Sequence, residues 1–160
     1  MNRIMQSLVI GLALALGATS IAAAADADPV IGTWTLNLAK SKFHGNTAPK
    51  SMTRVYSAGA KGTDMKATGV AADGSAISMS ATFTYDGKEC ALTGSSAYDS
   101  VTLKKVNGST VKGDLKKGGT VVGHSTRALS AGGKVLTLST AMKTDKGGTT
   151  HDVAVFDRQQ

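Results

Sequence analysis

Three histidines, one cysteine and eleven acidic residues are the side chains here suited to acid–base, nucleophilic or metal chemistry, and their spacing disfavours all three. His44, His124 and His151 form no H-x-x-x-H pair, and the chain has neither a C-x-x-C nor a G-x-S-x-G nucleophile turn. In the strand-like run VVGHSTRAL, His124 and Arg127 stand three residues apart and so point to opposite faces. His151 and Asp152, adjacent in TTHDVAVF, do the same. The acids mostly flank glycine in turns, where a carboxylate caps backbone amides, and this spacing offers no paired-carboxylate site. The expectation is a protein that is not an enzyme, with no metal and no cofactor.

Cys90, the only cysteine, cannot form an internal disulfide and reads as a small buried hydrophobe. Charge says more. The formal net charge is +7, or +6 once Arg3 is set aside with the leader described below. Lys104, Lys105, Lys112, Lys116 and Lys117 gather in one predicted hairpin, a candidate surface for an anionic envelope component. The plainer reading is a solvated edge, since lysine on edge strands discourages edge-to-edge pairing. With one Trp, three Tyr and three Phe, stacking platforms are scarce and nucleic-acid binding is not expected.

The elements that position these residues follow from composition and period. Residues 1–25 read as an export signal: Arg3, then the apolar run LVIGLALALGA, then AAAA as a small-residue cleavage site, leaving a single domain over 26–160. The protein is therefore expected to be periplasmic or secreted, with no transmembrane segment after cleavage. Nineteen glycines and two prolines suit short strands joined by tight turns, and candidate turns recur at 72–74, 86–88, 107–109, 117–119, 131–133 and 146–148. In AISMSATFTYD, Ile77, Met79, Ala81, Phe83 and Tyr85 alternate with Ser78, Ser80, Thr82 and Thr84, which gives a strand one apolar and one hydroxyl face. Weaker alternation marks 30–38, 51–58, 63–70, 89–93, 97–106, 109–116, 120–129, 134–142 and 149–157. About ten antiparallel strands with one buried face must either close or pack on a second sheet. The expected fold is an all-β up-and-down meander of 8–10 strands closed into a barrel, with a β-sandwich as the alternative. Ser, Thr and Lys opposite the apolar face, together with the few aromatics, argue against an outer-membrane barrel.

Gly32 and Trp34 within GTWTLNLAKSKF give a G-x-W motif on the first strand, and YDGKEC and VAVFDR follow later. Together these stretches resemble the lipocalin and calycin superfamily, and within it small exported bacterial lipocalin-like proteins. The resemblance implies that Trp34 closes one end of the barrel and that a late basic residue packs across it, with Arg127 and Arg158 as the two candidates. It also implies a small apolar or amphipathic ligand held inside, for which Met79, Phe83, Tyr85, Leu103, Leu136 and Leu138 are the candidate contacts. The competing function is a binding module without a ligand, an inhibitor or envelope-interaction protein that works through its loops or the lysine face.

Overall fold

A computed structural model describes residues 28–45 and 47–160; the segment 1–25, expected to be an export signal, lies outside the described residues. Period-two alternation produces ten strands. They are β1 (Gly32–Leu36), β2 (Ser51–Gly59), β3 (Gly62–Val70), β4 (Ala76–Phe83) and β5 (Asp86–Thr93). The second half comprises β6 (Ser100–Lys105), β7 (Thr110–Lys117), β8 (Thr120–Leu129), β9 (Val135–Lys143) and β10 (Thr149–Arg158). Each pairs antiparallel with its neighbour in the chain, and β1 closes the sheet against β10 through Trp34↔Arg158, Thr35↔Asp157 and Leu36↔Phe156. The result is a closed ten-stranded meander barrel, not a sandwich.

Register carries the inward face from strand to strand. Trp34 stands opposite Arg54, Arg54 opposite Ala67, Ala67 opposite Met79, and Arg127 opposite Leu138. A one-residue slip would turn each of these outward, so burial of this face fixes the pairing. Outside, hydroxyls and charges bond across strands, as in Ser80 with Thr93 at 2.8 Å and Thr82 to Asp64 at 2.6 Å.

Turns alternate between the two ends. One end holds the β2–β3, β4–β5, β6–β7 and β8–β9 reversals and the entering segment 28–31. The other holds the β1–β2 connection and the four remaining turns. That connection contains a single 3-10 turn, Leu38–Lys40, capped by the Asn37 side chain, and then runs as a loop. One expected turn is displaced: the reversal after β4 is made by Thr84 and Tyr85, and residues 86–88 belong to β5, whose ladder to β6 is irregular between Asp86 and Glu89. Tyr85 accordingly takes a φ of 55°, in the left-handed region that side chains other than glycine seldom adopt.

Candidate functional site

The first end is plugged. Trp34 and Val30 have no exposed surface, and the indole Nε1 donates to Val30 O at 2.8 Å. Arg158 lies over the Trp34 ring, 4.2 Å from its centroid, and donates to the carbonyls of Pro29, Ile31 and Gly133 at 2.6–2.7 Å. Of the two late arginines, Arg158 is thus the one on Trp34. Gly32 makes room for it, since a β-carbon there would sit 2.5 Å from Arg158 Nη1.

Arg127 belongs to a different cluster beneath the cavity. It donates to the Tyr85 hydroxyl at 2.6 Å and lies 3.5 Å from the carboxylate of Asp28, both charged side chains being about nine-tenths buried. Asp28 also accepts from the Val30 amide and the Thr63 hydroxyl. Burial alone would raise the pKa of Asp28, but the Tyr85 hydroxyl, Arg127 and these donors together hold it below the usual carboxylate value. Tyr85 moves the other way, to about 12, chiefly because it is buried and also because Asp28 is near, against the opposing pull of Arg127. The cluster ties the entering segment to β3, β8 and the β4–β5 turn.

Above this floor the barrel is hollow. A cavity of about 70 Å³ is walled by apolar side chains such as Met65, Leu92, Leu103 and Leu138 and by the polar groups of Arg54, Tyr56, Tyr98, Ser125, Arg127 and Thr140. It adjoins a vestibule of about 310 Å³ at the second end, bounded by Leu36, Phe43, Pro49, Met52, Ile77, Met79 and Met142. Arg54, Tyr98, Leu138 and Thr140 line both spaces and form the neck between them. All four methionines of the described residues, Met52, Met65, Met79 and Met142, face this interior. Unbranched and polarisable, they can repack around differently shaped occupants.

Of the six interior residues expected from sequence, Phe83, Leu103 and Leu138 wall the cavity and Met79 walls the vestibule. Two are corrected. Leu136, near the start of β9, has no exposed surface and is packed in the floor opposite Phe156. Tyr85 is a turn residue whose hydroxyl is taken by Arg127. Sequence reasoning missed Arg54, Tyr56, Tyr98 and three of the methionines. Period two from Trp34's partner strand would have put Met52, Arg54 and Tyr56 on one face, but an arginine there reads as surface until the register is known.

The lysines divide. Lys116 pairs with Glu89 at 2.9 Å, Lys117 with Asp99 at 4.0 Å, and Lys105 lies 5.2 Å over the Tyr85 ring. Lys104 and Lys112 face each other across β6–β7 beside Lys116, on a shallow outer groove. His124 points outward and shares a hydrogen bond with Asp114, while Asp152 faces the vestibule and accepts from the His44 amide. Among the described residues no three His, Cys, Asp or Glu side chains converge. Cys90 is a free, buried thiol.

No family model and no curated protein matches this chain.

Proposed function

We propose that the protein is an exported carrier or scavenger that takes a small apolar or amphipathic ligand into its barrel through the vestibule end. One observation carries this reading: the barrel is plugged by Trp34, Arg158 and the Asp28 cluster at one end and hollow above it, with apolar walls and a vestibule of about 310 Å³. That volume is at the lower limit of pockets that hold small organic ligands. The G-x-W resemblance to lipocalins and calycins supports it, because the tryptophan and a late arginine stand together at the closed end. No catalytic role is assigned. Residues 1–25 direct export, so protein recovered from the envelope fraction starts at or near Asp26.

The alternative is a ligand-free module acting through loops or the lysine face, and the lysine face draws on the Lys104–Lys112 opposition alone. Three of its five lysines already have partners within the barrel wall.

Native mass spectrometry of the exported protein tests the proposal. The expected result is a fraction of molecules carrying one small organic mass, released on mild activation. An apo-only spectrum that stays unchanged after incubation with a panel of apolar alcohols and acids would reject it.

A further inference from the structure

The interior holds two arginines and two acids, but the arginine at the neck has no acidic partner. Arg127 has Asp28. Asp152, the other acid facing the interior, is held at the rim by the His44 amide. Arg54 has neither: no carboxylate lies within 4 Å among the described residues, its Nε is buried without a partner, and Nη1 reaches only the Tyr56 hydroxyl at 3.4 Å. Its remaining support is the Phe156 ring, 5.6 Å away. Across the ladder from Arg54 stands Ala67, small and fully buried. A guanidinium stays charged at any ordinary pH, so this is a half-buried cation, its Nε fully enclosed, without a counter-ion. A chain selected only for stability would place a methionine or leucine there.

Resting on the interior-ligand reading, we propose that Arg54 is the counter-ion for the ligand, which is a singly charged amphipathic anion of the carboxylate class. The headgroup enters the inner cavity and takes the free face of the guanidinium. The hydroxyl-bearing Tyr98, Ser125 and Thr140 line the same cavity and would surround it. A space of about 70 Å³ suits a compact headgroup and no more than a few waters. The apolar chain fills the vestibule along Met52, Met79 and Met142. One free guanidinium matches one negative charge, which favours a carboxylate over a doubly charged phosphate monoester.

The test is calorimetric titration of the exported protein with three probes of equal chain length: decanoate, 1-decanol and decyltrimethylammonium. Decanoate is expected to bind one per chain and at least tenfold more tightly than decanol, with the cation weakest. Arg54→Met should bring decanoate down to the affinity of decanol, leave decanol unchanged, and melt no lower than the native chain; Arg54→Lys should keep part of the preference. Equal binding of decanoate and decanol by the native protein overturns the assignment of Arg54 yet leaves interior binding intact. So does an Arg54→Met protein that still prefers decanoate. If none of the three binds, the interior-ligand reading fails with it. The comparison among probes in the native protein stands even if the variant does not fold.

Discussion

Trp34 and Asp28 carry the closed end through different physics, and substitution separates them. Trp34 contributes buried area, a hydrogen bond to Val30 and the stacked Arg158, so Trp34→Ala should cost about 3–5 kcal/mol, as large aromatic truncations in cores do. Because it is the only tryptophan, its emission should be blue-shifted in the native protein and move red on unfolding. Asp28 contributes charge. Asp28→Asn leaves Arg127 buried without its counter-ion, an arrangement that costs about 3–5 kcal/mol when one partner of an interior pair is removed. The pH dependence has a definite sign. A carboxylate whose folded pKa is depressed adds stability above its unfolded pKa and loses it as pH falls through the folded value. Thermal melts of the native chain should thus drop below about pH 4, while Asp28→Asn loses this component and shows a shallower acid slope.

Ladder length varies around the barrel, and with it the expected order of local opening. The β4–β5 seam has only two registered pairs, Ser80↔Thr93 and Ala81↔Leu92, whereas β3–β4 has eight and β9–β10 nine. Sparse backbone pairing lowers the free energy of local opening. Amide hydrogen exchange should therefore be fastest, among the strands, at the seam-facing positions of β4 and β5 and slowest across β9–β10; uniform protection around the barrel would contradict this. The strands themselves were legible because alternation and glycine turns are local signals: 120–129 was read with the bounds the structure has, and all ten strands were found. Failures arose where the outcome depends on partners distant in sequence. The Thr84–Tyr85 reversal was hidden because Gly87 advertised a turn, and the β5 irregularity moved it. The two arginines on β8 and β10 could not be sorted by sequence, since only closure of β1 on β10 brings Arg158 over Trp34 and leaves Arg127 for Asp28.

The whole molecule is an asymmetric cup, with one end sealed by packed aromatics and ion-paired groups and the other opening into an apolar vestibule. Closure explains the polar exterior and, among the described residues, the absence of free sheet edges, because ten strands satisfy one another's backbones and leave the inward faces to enclose space. The barrel does not by itself dictate a ligand. What distinguishes a carrier from a filled scaffold is whether the interior takes up a molecule, and the four interior methionines supply the reporters. NMR of the exported protein titrated with decanoate, read at methionine methyls and backbone amides, is the most direct test. The account predicts saturable shifts at Met52, Met65, Met79 and Met142, with the outer lysines Lys104 and Lys112 unaffected. Saturable shifts confined to the lysine face, or no shift at any of the four methyls, would contradict it.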